Sequence, residues 1–171
     1  MSLKEVARET LSIVESGRYT SPTGRIVHLK KELRKAIEGT YLYRPEQLET
    51  MLGTPQSSSS PRNTPAFEVT SEKTQVASHR LVAEEGVDDL VLLNFASARN
   101  PGGGFINGAK AQEEDLARCS ALYSCQMNQF EYYEANREQE SMLYTDTMIY
   151  SPEVPFFRSS SRNLLEEPYV V

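Results

Sequence analysis

The stretch NPGGGFINGAKAQEED (residues 100–115) sets three consecutive glycines, Gly102, Gly103 and Gly104, ahead of two adjacent carboxylates, Glu113 and Glu114. Glycines let a backbone approach a ligand closely, and the unpaired N–H groups of a following helix attract anions. The spacing is not a Walker loop, because no Lys-Ser or Lys-Thr follows at the right distance. It is not a dinucleotide fingerprint either, because Phe105 stands where the last glycine of that pattern belongs. On the glycines alone, a mobile turn is as good a reading as a ligand loop. The glutamates have a plain reading of their own, since acidic residues in a first helical turn are common and favour the helix dipole. Yet they open the very helix that the glycine loop feeds. A diphosphate in the loop would raise the pKa of a neighbouring carboxylate. A carboxylic acid that keeps its proton near neutral pH can donate it to a leaving oxygen. Loop and acid together suit cleavage of a sugar bond next to a diphosphate. Successive helical residues point about 100° apart, so the two glutamates are expected to play different parts.

The elements that hold this pair read as follows. A core of Leu90, Val91, Leu92 and Leu93 precedes the loop and suits a strand buried on both faces. A helix is expected over residues 112–126, with Leu116, Cys119 and Tyr123 on its inner stripe. Upstream, AFEVT (66–70) is strand-like, and Thr70 or Ser71 can cap a helix running towards Gly86 with Val76, Ala77 and Leu81 inside. Near the N-terminus, Ser2 with Glu5 makes a capping box for a helix that Gly17 stops. GRIVHL suits a short strand, KKELRKAIEG a helix, and Pro45 the first turn of another helix. Residues 53–65 lack apolar periodicity and read as a flexible connection between an N-terminal helical extension, 1–52, and a domain over 66–171. Downstream, residues 142–157 hold another strand closed by Pro152, SSSRN is a turn, and EEPYVV opens an apolar element. Strand, helix, strand, loop, helix, strand predicts an α/β fold with a largely parallel sheet.

A net charge of -6 argues against a broad nucleic-acid surface. No apolar run approaches a membrane span and the N-terminus is too charged for a signal peptide, so an intracellular, cytoplasmic setting is expected. Cys119 and Cys125 do not share a helix face and read as free thiols. His28 and His79 have no metal-type partners near them in sequence. Tyr132 and Tyr133 suit either packing or stacking on adenine, and Arg99 and Lys110 either surface charge or a phosphate contact.

The run from Asn94 to Tyr123, NFASARNPGGGFINGAKAQEEDLARCSALY, resembles the signature of the microbial-type poly(ADP-ribose) glycohydrolases. Its hallmark is three glycines, a short spacer and Gln-Glu-Glu, here Gln112, Glu113 and Glu114. The likeness extends to ARETLSIVESGRYTSPTGRIVHL, YYEANRE and YTDTMIYSPEVPFFR, so it covers nearly the whole chain. It implies a macrodomain: a mixed, mostly parallel sheet flanked by helices, with an N-terminal helical extension. It implies hydrolysis of the ribose–ribose O-glycosidic bond of poly(ADP-ribose) on modified proteins, releasing ADP-ribose, with no cofactor and no metal. Glu114 would protonate the leaving ribose oxygen and then activate water, and Glu113 would bind and orient the ribose. Gly102, Gly103 and Gly104 would bring N–H groups to ribose and diphosphate, Gln112 would position the glutamates, and Asn100 and Phe105 would shape the pocket wall. Family members carry further strands and a second glycine loop beyond the EEPY segment. The chain is therefore read as C-terminally truncated, with little activity by itself and self-association through an open sheet edge. An ADP-ribose-binding module without turnover, or an inactive partial chain of the family, are the alternatives.

Overall fold

A computed structural model describes residues 1–53, 65–160 and 162–171. The expected connection at 53–65 lies almost wholly outside them, as does Ser161 of the expected SSSRN turn. The N-terminal segment forms as its signals dictate. Ser2 and Glu5 complete a capping box for α1 (Leu3–Ser16), and Gly17 ends it at φ 67°, a conformation that an L side chain resists. A hairpin follows, β1 (Arg18–Thr20) with β2 (Ile26–His28), then α2 (Lys30–Gly39), β3 (Tyr41–Tyr43) and α3 (Pro45–Gly53).

The middle of the chain departs from the sequence reading. Residues 66–70 form no strand, and Phe67 and Val69 lie open to solvent. The next helix, α4 (Thr74–His79), is capped at Lys73, not at Thr70 or Ser71, and passes into a π-turn at Arg80–Glu84. Its inner face is polar: Gln75 and Ser78 are buried while Val76 is exposed. The phase follows the Tyr169 hydroxyl, which meets Ser78 Oγ at 2.8 Å and donates to the Gln75 carbonyl at 3.2 Å. Two hydrogen bonds to a buried phenol outweigh the exposure of one valine.

Residues 90–96 are not a strand buried on both faces. Leu90, Leu92, Asn94 and Ala96 turn partly inward, whereas Val91 and Leu93 are 75% and 72% exposed. The period of two is that of a strand, but no strand among the described residues pairs with it. The three sheets among the described residues are two-stranded and antiparallel: β1–β2, β3 with β4 (Met148–Tyr150), and β5 (Pro155–Ser160) with β6 (Asn163–Val170). The largely parallel sheet is thus corrected to a mixed α/β architecture without parallel pairing among the described residues. Ser159 and Ser160, expected in a turn, extend β5.

The expected helix over 112–126 is two, α5 (Gln112–Cys119) and α6 (Leu122–Gln126). At the break, Ser120 bridges Phe156 and Ala121 N–H donates to the Pro155 carbonyl. The strand hydrogen bonds of β5 thus replace one turn of helix. α7 (Phe130–Arg137) buries Tyr132 and Tyr133 against Leu42 of β3, which is the packing reading. The main core gathers Ile13, Leu29, Leu33, Leu116, Phe156, Phe157 and Tyr169, and α5 runs along β5 within it. α1 lies across α5 and the end of the glycine loop, with Ala7 against Phe105 and Ala117. The Thr10 hydroxyl donates to the Arg118 carbonyl at 2.8 Å. Cys119 and Cys125 are free and buried, and burial pushes their thiols up to about 12 and about 11.

Candidate active site

The glycine loop turns at residues 101–104, with Gly102 at φ 63° and Gly103 at φ 57°. Both values lie in the left-handed region that glycine enters without a Cβ penalty. Space demands glycine as well. A Cβ on Gly103 would stand 2.5 Å from Glu114 Oε1 and 3.1 Å from Glu113 Oε2; one on Gly102 would stand 2.9 Å from the Tyr123 ring. Both carboxylates of α5 therefore reach back to the Gly103 backbone. Their hydrogen-bond partners differ.

Glu113 is 2% exposed and fully engaged on one oxygen. Its Oε1 accepts from Gln126 Nε2 at 2.8 Å and from Asn94 Nδ2 at 3.2 Å, and its Oε2 accepts from Ser97 N–H at 2.8 Å. Burial raises its pKa above the ordinary carboxylate value; the three donors pull it down and the Glu114 charge pushes it further up. Burial thus outweighs the helix-dipole effect expected from a first-turn position. Glu114 is 8% exposed, with Oε1 accepting from Gly104 N–H at 2.9 Å. Its Oε2 is buried and has no partner.

The three loop N–H groups face acceptors of the protein itself. Gly102 N–H donates to Gln126 Oε1 at 3.0 Å, Gly103 N–H to the Asn100 carbonyl at 3.0 Å, and Gly104 N–H to Glu114 Oε1. What the glycines supply here is an unobstructed backbone beside two carboxylates, with their N–H groups directed inward. Gln112 touches neither glutamate. Its amide accepts from Phe95 N–H at 2.8 Å and donates to the Leu93 carbonyl at 2.8 Å and to Thr74 Oγ1 at 3.2 Å. It binds residues 93–95 as a neighbouring strand would, and those residues carry Asn94 and lead to Ser97. Its hold on Glu113 is indirect. Phe105 is fully buried, its ring 4.9 Å from Tyr123, so it packs the core and does not line a pocket wall. Asn100 is exposed at the start of the loop, and Arg99 is exposed with its carbonyl accepting from Arg137. Lys110 is exposed beside the loop's far end.

Asn94, Ser97 and Gln126 escaped the sequence reading, and so did Arg118. Arg118 is fully buried; its guanidinium donates to the Ala109 carbonyl and to Asp115, both at 2.8 Å or less, and so closes the loop onto α5. Asn94 offered a faint signal, a polar residue ending an apolar run. Gln126 offered none, because its reach to Glu113 depends on the break between α5 and α6. A cleft of about 410 Å3 runs between residues 90–96 and 147–152. It meets the site only through Asn94 and Gln126, which hold Glu113 from behind; neither glutamate and none of the three glycines lines it. Its walls are mostly aliphatic. Among the described residues no group of three or more His, Cys, Asp or Glu could hold a metal ion. None of the described helices is long and apolar enough to cross a membrane.

Residues 7–159 match the family described as microbial-type PARG, catalytic domain. The chain is similar to the poly(ADP-ribose) glycohydrolase of Thermomonospora curvata, with 45% identity and a TM-score of 0.89 over 99% of this chain and 61% of that one. The same enzyme bound to the inhibitor ADP-HPD gives 46% identity and 0.87, over 99% and 60% of the two chains. The poly(ADP-ribose) glycohydrolase of Deinococcus radiodurans in complex with ADP-ribose gives 45% identity and 0.71, over 85% of this chain and 57% of that one. The chain spans about three fifths of the length of these relatives. No curated protein matches it.

Proposed function

The chain belongs to the microbial-type poly(ADP-ribose) glycohydrolase family, and from that premise we propose that it hydrolyses the ribose–ribose O-glycosidic bond of poly(ADP-ribose), with Glu114 as general acid and then general base. One observation carries this reading. Glu114 has one oxygen, Oε1, fixed by Gly104 N–H beside the bare Gly103 backbone, and the other, Oε2, buried and unpartnered. An unsatisfied buried carboxyl oxygen costs stability unless a ligand completes it.

The steps balance on that atom. Protonated Oε2 gives its proton to the bridging oxygen as the anomeric C–O bond breaks, and the leaving ribose departs with a hydroxyl. The ring left behind carries oxocarbenium-like positive charge, which the ionised Glu113 and the substrate's own diphosphate stabilise. Glu114, now a carboxylate, takes a proton from an incoming water as its oxygen bonds to the anomeric carbon. The products are two hydroxyl-terminated sugars, and Glu114 ends protonated again. A single acid serves both halves, unlike the two carboxylates that flank the bond in most glycosidases.

Glu113 orients the ribose. A carboxylate has about four lone-pair positions, and three of them on Glu113 are occupied. The remaining one, on Oε2, accepts a ribose hydroxyl. Gly102, Gly103 and Gly104 let the loop backbone pack against both glutamates, and Asn100 stands exposed at the loop's start, where ribose or diphosphate would meet it. The macrodomain arrangement belongs to the same reading: residues 90–96 have the alternation of a sheet strand and lead into the loop.

ADP-ribose is bound by the Deinococcus relative, and binding without turnover is the second reading here. Calorimetry with ADP-ribose, beside a cleavage assay with the protein in excess over polymer, separates the two. Binding with release of ADP-ribose supports the hydrolase. Binding without release leaves a reader of ADP-ribose, and neither result removes both readings.

A further inference from the structure

The amide of Gln126 stands between the glycine loop and Glu113, and nothing in the proposed reaction assigns it a part. It is 3% exposed and ends α6. Its Oε1 accepts from Gly102 N–H at 3.0 Å while its Nε2 donates to Glu113 Oε1 at 2.8 Å. Only one orientation of the amide satisfies both neighbours. Turned over, it would set its NH2 against a backbone N–H and its oxygen against a carboxylate, losing both bonds in a buried site.

We propose that Gln126 is a positioning residue that holds Glu113 as the anionic member of the glutamate pair and locks the glycine loop to it. The partners of the two acids support this. Every group that reaches Glu113 within hydrogen-bonding distance is a neutral donor: Gln126, Asn94 and Ser97 N–H. The titratable groups that act on it are Glu114 from α5 and Tyr132 and Tyr133 from α7, and none of them is a cation. The charge on Glu113 thus depends on three neutral hydrogen bonds set against burial. Adjacent carboxylates titrate as a pair, and the one better solvated by donors releases its proton first. Glu114 has one donor and one unpartnered oxygen, the atom to which the proposed reaction assigns the transferred proton.

The proposal rests on the glycohydrolase reading for its consequence in catalysis, but its first test does not need turnover. The full chain carrying 13Cδ-labelled glutamate is titrated by NMR, with Glu113 and Glu114 assigned through Glu113→Gln and Glu114→Gln. In Gln126→Met, which keeps the shape and removes both hydrogen bonds, the midpoint of Glu113 should rise by about one pH unit. In Gln126→Glu, which keeps an acceptor for Gly102 N–H but sets a like charge against Glu113, the midpoint should rise further. Thermal melting establishes that each variant is folded. If Gln126→Met does not fold, Gln126→Glu carries the same test. A folded variant in which the Glu113 midpoint moves by less than about 0.3 units overturns the proposal. Where the wild-type chain releases ADP-ribose, the pH–rate profile of Gln126→Met should shift with the Glu113 midpoint, whereas a uniform loss of rate at every pH would reduce Gln126 to a packing role. A wild-type chain without turnover sinks the hydrolase reading and leaves the titration result to decide Gln126.

Discussion

Residues 100–126 and residues 65–97 use polar groups in opposite ways. In the first region the loop and two short helices leave most buried donors and acceptors assigned, and the side-chain orphans among the described residues are Arg118 Nε and the atom proposed to carry the proton, Glu114 Oε2. In the second, the backbone lacks a pairing strand among the described residues, and large apolar side chains such as Phe67, Val69 and Val91 stand in solvent. The link between them is Gln112, whose amide pairs with residues 93 and 95. Short-range chemistry can organise a loop and a helix start, whereas a strand is completed only by a neighbour. The loop is therefore readable from its own residues, and strand pairing is not.

The sharpest way to break this contrast is to crowd the well-ordered region. Gly103→Val places a branched side chain at φ 57° where even a Cβ stands 2.5 Å from Glu114 Oε1. Backbone strain of about 1–3 kcal/mol adds to the displaced carboxylate. Calorimetry should then find no measurable affinity for ADP-ribose; retained affinity would make the loop a plain structural turn. Phe105→Ala tests whether that ring serves packing. It is fully buried against Tyr123 and Ala117, so urea unfolding should show a loss of about 3–5 kcal/mol. A mild loss of stability with a large loss of affinity would return Phe105 to a pocket wall. The smallest effect belongs to the open region. Polar replacement of Val91 and Leu93 together should change stability by about 0.5 kcal/mol per site or less. Sedimentation velocity should show less self-association than the wild-type chain, since exposed apolar strand-like surface invites pairing. A large loss of stability would mean that these side chains are covered in solution.

How far the sequence carried these conclusions follows the same division. The capping box of α1, the glycine stop at Gly17 and the Pro45 start of α3 are local signals, and each element formed where they placed it. The Gln-Glu-Glu element was legible as a pair of carboxylates on one helix start, and the structure brings Glu113, Glu114 and Gly103 together. Less legible was anything set by distant partners. The polar inner face of α4 answers to Tyr169, some ninety residues away in sequence. The break at Ser120 answers to β5, and Gln126, beyond that break, reaches back to Glu113. The apolar run at 90–93 has the composition of a buried strand, but composition does not specify what lies along its edges. Gln112, expected to position the glutamates, bonds residues 93 and 95 instead of either carboxylate, because an amide spaced for a backbone ladder looks in sequence like one spaced for a side chain.

The central claim is that Glu114 carries the proton that cleaves the bond while Glu113 remains the held anion. The most direct test compares Glu114→Gln with the wild-type chain in single-turnover cleavage of poly(ADP-ribose), with ADP-ribose affinity measured on the same samples. The account predicts a fall in cleavage of about a hundredfold or more, the scale of a lost general acid, with affinity changed little because the amide keeps the shape and accepts from Gly104 N–H. Cleavage by Glu114→Gln at near the wild-type rate would remove Glu114 from the mechanism and contradict the account.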